Sequence, residues 1–250
     1  MDSVTKCKQK YEGLVLSSKQ DGDFKIIEYA HNKHVVVRFL ETGYETVGRI
    51  GNVLNGQVKD RAKPSVYGVG IVGDSAIVVE GTKSKEYSVW VRMLDRCYSL
   101  KESRTTYEGC EVSDFFKFFP NFVSWCHNQI GFNQDGFALD KDILVKGNKL
   151  YSETTCCFVP REINNLFTNR KTSSVGVIIG TFKHGDRFGA RFSKATRTTH
   201  LGYFNTEIEA FCAYKKAKEA HIKEVANRWM DKIDHRVYDA LMNWNVELTD

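Results

Sequence analysis

The chain has 250 residues, 42% of them hydrophobic and 27% charged with a net charge of +5, enough to bury the cores of one to three small domains. Its most apolar stretch, Val66 to Val79, is cut by Asp74 and three glycines, and Met1 to Tyr11 is polar and charged, so neither a membrane span nor a secretory leader is expected. Seven cysteines without a C-x-x-C pair point to reduced thiols in a cytosolic protein; a structural zinc on Cys97, Cys110, Cys126 and Cys157 is not expected, because the ligand spacing is absent.

From Gly13 to Val58 the pattern is strand-rich. Leu14 to Leu16, Phe24 to Tyr29, the alternation of Val35, Val37 and Phe39, and Tyr44 to Ile50 predict the short strands of a small β-barrel-like module. His31 to His34 reads as a hairpin turn, a solvated loop rather than a ligand site. Asn55-Gly56 and the Pro64 region end the module, and the glycines at 68, 70, 73 and 81 form a loose connector, with a boundary near residue 70. Trp90 to Leu100 and Ser113 to Ile130 then space their apolar residues more widely. Phe115, Phe119, Phe122, Val123 and Cys126 fall near helical periodicity.

Residues 139 to 167 predict strand, loop, strand, helix. Leu139-Asp140-Lys141-Asp142-Ile143 leads into a Lys146-Gly147-Asn148-Lys149 turn, followed by Tyr151, Cys156 to Val159, and a helix starting at Pro160. Cys156 and Cys157 are adjacent in the second strand and point to opposite faces. Proline at the first helical position puts Asn164 on the second turn. A carboxylate on the first strand and an amide on the helix can grip one divalent metal and leave positions open for phosphate and water; Asp140 and Asn164 are placed to do so.

The segment resembles the HNH nuclease fold of phage proteins, in the branch reading L-D-[RK], then G-N, then Y-S, with a helical Asn following. Trp90, Met93, Arg96-Cys97-Tyr98, Tyr107, Gly109, Phe119-x-Asn121-Phe122 and Trp125 resemble that branch too, so the likeness spans about residues 87 to 170. The resemblance implies that Asp140 and Asn164 hold one Mg²⁺ or Mn²⁺ and that Asp140, Lys141 and Asn164 are the catalytic group. Lys141 departs from it, standing where a water-activating His normally follows the Asp, and Thr155 stands where the middle Asn usually fixes the loop. A protonated lysine can stabilise phosphate charge but is a poor general base. His127 and Tyr151 are the substitute bases to consider, each also suited to a structural role.

Thr168 to Ser174 is short, polar and basic and joins this segment to the tail. There Val175, Val177 and Ile179 alternate with period two, Phe188, Ala190 and Phe192 repeat the alternation, and Leu201 to Phe204 supply a third strand. With Phe188, Ala190 and Phe192 buried, the pleat sends Arg187, Arg191 and Ser193 to the opposite face, with Lys183 and Arg197 in flanking turns. Thr206 and Glu209 have capping-box spacing, and at about 100° per residue Ala210, Phe211, Tyr214, Ala217, His221 and Val225 share the face that closes over the sheet. Residues 171 to 236 hold 13 Lys and Arg against 7 Asp and Glu, so the basic excess of the chain sits in this tail.

Through Gly176-Val177, Phe188-x-Ala190, Leu201-Gly202-x-Phe204 and Thr206-x-x-Glu209-Ala210-x-x-Ala213-Tyr214 the tail resembles the plant ethylene-response-factor type of DNA-binding domain, whose bacterial and phage relatives end homing endonucleases. That family lays its sheet in the major groove, which implies Arg187, Arg191, Lys194 and Arg197 as phosphate and base contacts, and Lys183 in the flanking turn is expected to join them.

Together these readings predict an α+β chain of three segments: a small β-rich module over 1–70, a ββα-metal HNH-like core over 71–170, and a three-stranded sheet plus helix over 171–250. The expected partner is double-stranded DNA, with no membrane. The expected function is a phage-type HNH homing endonuclease or a catalytically weakened relative, working in the cytoplasm of an infected bacterial host. The alternative is a non-catalytic, sequence-specific DNA-binding regulator on a nuclease scaffold. A third class, a protein that binds another protein through its N-terminal module, is compatible with either.

Overall fold

Alternating apolar residues build the first sheet. In the computed structural model, which describes residues 3–99, 107–167, 178–194 and 197–248, strands β1 (Val15–Ser18), β2 (Gly22–His31), β3 (His34–Phe39) and β4 (Glu45–Gly48) form an antiparallel meander in sequence order. Phe24 pairs with Phe39 and Ile26 with Val37, and all four are buried with Tyr29, Val35, Val53 and Val58. Helix α1 (Ser3–Tyr11) packs beside β2, and α2 (Ile50–Leu54) follows β4. The two-residue Asn32-Lys33 turn joins β2 to β3, as the His31 to His34 pattern predicts. The meander stays open: among the described residues β1 and β4 are its unpaired edges, so the barrel-like expectation reduces to a one-sided sheet.

A two-residue hairpin pairs β5 (Val78–Val79) with β6 (Thr82–Lys83). Helix α3 (Lys85–Tyr98) starts where the Ser84 side chain accepts the Tyr87 N–H, and Trp90, Met93 and Leu94 form its buried stripe. Short β7 (Glu111–Val112), α4 (Asp114–Lys117) and α5 (Phe119–His127) follow. The apolar run expected as one helix breaks at Phe118, whose backbone is extended, so the phase shifts and Phe116 is buried while Phe115 is exposed. Phe116 packs on Phe122 and Trp125, and the Trp90 indole N–H donates to the Phe116 carbonyl at 2.6 Å.

Contacts group the chain into two units, Met1–Trp125 and Cys126–Asp250, where the sequence suggests three segments. The second unit begins with the expected strand, loop, strand and helix: β8 (Phe137–Asp140), the short β9 (Leu150–Tyr151), β10 (Cys157–Pro160) and α6 (Arg161–Leu166). β8 and β10 are antiparallel, with Asp140 opposite Cys157. Pro160 is the extended residue before the helix rather than its first helical residue, so α6 starts at Arg161 and Asn164 is its fourth residue. Strands β11 (Thr181–His184), β12 (Arg187–Lys194) and β13 (Arg197–Phe204) then form an antiparallel sheet under α7 (Glu207–Trp229), which a single 3₁₀ turn (Met230–Lys232) links to α8 (His235–Met242). The linker Thr168 to Ser174 and the Val175 to Val177 part of the expected first strand lie outside the described residues. Ile178 and Ile179 are not in a strand, and β11 begins at Thr181.

The capping box at Thr206 and Glu209 is formed in both directions. Helix α7 buries more than one side. Phe211, Tyr214, Ile222, Val225 and Ala226 share one core with Ile143, Cys157, Val159, Ile163 and Leu166 of the preceding segment and with Val237 and Leu241 of α8. A boundary at residue 170 would cut through that core. Among the described residues no helix is long and apolar enough to cross a membrane.

Candidate functional site

The strand register decides which basic side chains share a surface. Phe188, Ala190 and Phe192 face α7: Ala190 is fully buried and Phe192 packs against Tyr214 and His221. Arg187, Gly189, Arg191 and Ser193 therefore point the other way. Cross-strand pairing adds His184 opposite Arg187, Phe182 and Tyr203 opposite Gly189, and His200 opposite Arg191. Arg187 and Arg191 are exposed and make no ion pair among the described residues; the Arg191 guanidinium lies 5.5 Å from the Phe182 ring centre.

The other three expected contacts fall on the helix side. Lys183 pairs across from Phe188, and Arg197 from Lys194, so neither lies in a turn or on the outer face. The Lys194 Nζ is 2.8 Å from both carboxylate oxygens of Glu224 on α7. That lysine, helped by His221, holds the Glu224 carboxyl below the usual carboxylate range. Sequence alternation thus finds two outer cations, Arg187 and Arg191; Lys183 and Arg197, expected in flanking turns, lie in strands instead, and Lys194, named only by the resemblance, faces the helix. The alternation also misses His200 and Tyr203, because a bulge breaks the period in β13: Ala190 pairs with Gly202 and Arg191 with His200, leaving Leu201 without a partner.

The loop after β8 is built by the residues that carry the nuclease likeness. Asp140 Oδ1 accepts the backbone N–H groups of Asp142 and Ile143 at 2.8 and 2.9 Å, an Asx turn that ends the strand. No hydrogen bond or ion pair reaches its Oδ2 among the described residues. Burial pushes the Asp140 carboxyl above its ordinary range, against the pull of those two N–H groups. Lys141 does not face solvent: its Nζ is 2.6 Å from Asp142 Oδ1 and 2.6 Å from the Asn148 carbonyl, and it lies over the Tyr151 ring. Asn148 answers by donating to the carbonyls of Lys141 and Leu150 and accepting the Leu150 N–H. Thr155 donates to the Leu150 carbonyl at 2.8 Å and meets Ser152, so a hydroxyl closes the turn.

Asn164 sits half-buried on α6, which packs against β8 and β10. Tyr151 is buried in the core and His127 ends α5 with its ring 5.9 Å from Phe132. Among the described residues no group of three or more His, Cys, Asp or Glu side chains could hold a metal ion. A cation here would have one carboxylate oxygen, an amide at most, and otherwise water and phosphate, a donor set that Mg²⁺ accepts when substrate supplies the rest.

No family model, no curated protein and no solved structure matches this chain.

Proposed function

We propose that the chain is a sequence-specific double-stranded-DNA-binding protein that reads DNA with the outer face of β11–β12–β13, carried on a nuclease-like strand-loop-strand-helix scaffold. The observation that carries this reading is that Arg187 and Arg191 stand exposed on one strand face and make no ion pair among the described residues, whereas Lys194 on the other face is neutralised by Glu224. Unneutralised arginines on a sheet face suit phosphates and the O6 and N7 acceptors of guanine. The basic surplus of the tail supports the same partner by attracting the phosphate backbone at long range.

A second reading, an HNH-type endonuclease that cleaves phosphodiester bonds with Mg²⁺ or Mn²⁺, is favoured by the Oδ2 of Asp140, which no hydrogen bond or ion pair reaches among the described residues. Asp140 and Asn164 would hold the cation, which would supply Lewis acidity toward the phosphate when bound. Lys141 weakens this reading, since its ammonium is spent on Asp142 and Asn148 and faces the loop interior. By the resemblance, either protein would act in the cytoplasm of an infected bacterial cell.

A salt titration of duplex binding tests the main reading. Arg187→Ala and Arg191→Ala should each weaken binding and reduce the slope of log K against log [salt] by about one unit where a phosphate contact is lost. Lys194→Ala should leave the slope unchanged. Equal slopes for all three variants and the wild type would refute the assignment of the outer face.

A further inference from the structure

The outer face of the C-terminal sheet carries four aromatic rings beside its two arginines. His184 stacks on Tyr203 with ring centres 4.7 Å apart and planes 30° apart. His200 lies 4.5 Å from Tyr203 and 6.0 Å from Phe182. The bulge at Leu201 makes this grouping possible, because residues three apart on a regular strand face opposite sides, whereas here His200 and Tyr203 share one. Gly189 contributes by absence: a Cβ there would stand 2.3 Å from the Phe182 ring, so only glycine lets that ring lie against β12. His184 and His200 are exposed, and Tyr203 is 43% exposed.

Single exposed rings are ordinary, but three rings gathered around Tyr203 on a pleated face flanked by cations form a stacking surface. In a duplex the base faces are hidden in the stack and only the edges meet a protein. Unpaired bases expose their faces, and aromatic side chains and arginine planes are the groups that receive them. We infer that this surface stacks unpaired bases, so that the preferred target is DNA with a single-stranded or locally opened stretch, its phosphates held by Arg187 and Arg191. The inference rests on the reading of this sheet face as the DNA surface.

Anisotropy titrations of the full chain with three labelled DNA probes of one sequence test it: a perfect duplex, the single strand, and a duplex with a central unpaired bubble. The bubble and the single strand should bind more tightly than the duplex at equal salt. Tyr203→Ala should weaken binding to those two by roughly 5- to 150-fold, the effect of losing one stacked base. Duplex binding should weaken clearly less than binding to those two, and Tyr203→Phe should keep the preference. His184→Ala, checked by circular dichroism for an intact fold, gives an independent variant in the same stack. Equal affinity for all three probes, or equal weakening of all three by Tyr203→Ala, overturns the inference. Duplex binding that depends on Arg187 and Arg191 without preference for unpaired bases overturns it while sparing the duplex reading; failure to bind any probe overturns both.

Discussion

Lys141 illustrates how one side chain can resemble a catalytic position and do structural work. Its charge lies almost wholly inside the loop, donating at 2.6 Å to a carboxylate and at 2.6 Å to a backbone carbonyl. Lys141→Met keeps the length of the stem and removes both bonds, leaving the Asn148 carbonyl without its ammonium donor. Asp142 is half exposed, so water compensates its side of the pair. The expected cost is about 1–3 kcal/mol, read as a lower urea midpoint with the same slope, while duplex affinity stays unchanged. An unchanged midpoint would mean that the loop holds without its lysine. Residue roles were legible in the sequence only where the local period held. Arg187 and Arg191 follow from the alternation of β12, whereas His200 and Tyr203 are hidden by a bulge that no residue type announces, and the inward turn of Lys141 depends on Asn148 seven residues on.

Helix α7 shows what periodicity conveys and what it omits. Thr206 and Glu209 state where it begins, and Phe211, Tyr214 and Val225 state that one side is buried. The pattern does not state what covers that side. The sheet meets part of it, while Ile163 and Leu166 of α6 and Val237 and Leu241 of α8 meet the rest, so elements distant in sequence share one core. Phe211→Ala should therefore cost about 3–5 kcal/mol and remove hydrogen-exchange protection together from β10, α6 and the C-terminal sheet. Loss of protection in the sheet alone would restore a separate C-terminal domain. Other elements were legible in unequal degree for the same reason. The meander of residues 15–48 is written in its alternation, α1 shows the core only the sparse face of Cys7 and Tyr11 and buries no residue fully, and α8 is signalled only by the Asp234 cap followed by Val237 and Leu241.

For the whole molecule the open question is whether it cuts the DNA it is proposed to bind, and Asp140 separates the two outcomes. Its carboxyl is held above the ordinary range by burial, so the fold favours the protonated form, and the destabilisation is fully present above the raised folded-state value. As pH falls through the raised folded-state value toward the usual carboxylate range, the folded protein takes up a proton and the penalty is relieved. Asp140→Asn keeps an oxygen for the Asp142 and Ile143 N–H groups and has no charge to desolvate. It should be more stable than the wild type at neutral pH, with the advantage shrinking as the medium is acidified. Incubation with supercoiled plasmid in Mg²⁺ or Mn²⁺ decides the matter. If the endonuclease reading holds, the wild type nicks or linearises the plasmid and Asp140→Asn does not, while duplex affinity, proposed to depend on Arg187 and Arg191 on the outer face of the C-terminal sheet, is the same for both. If neither protein cuts with either metal, yet both bind duplex with the same arginine dependence, Asp140 serves only to turn the chain after β8 and the molecule is a DNA-binding protein on a nuclease-like scaffold.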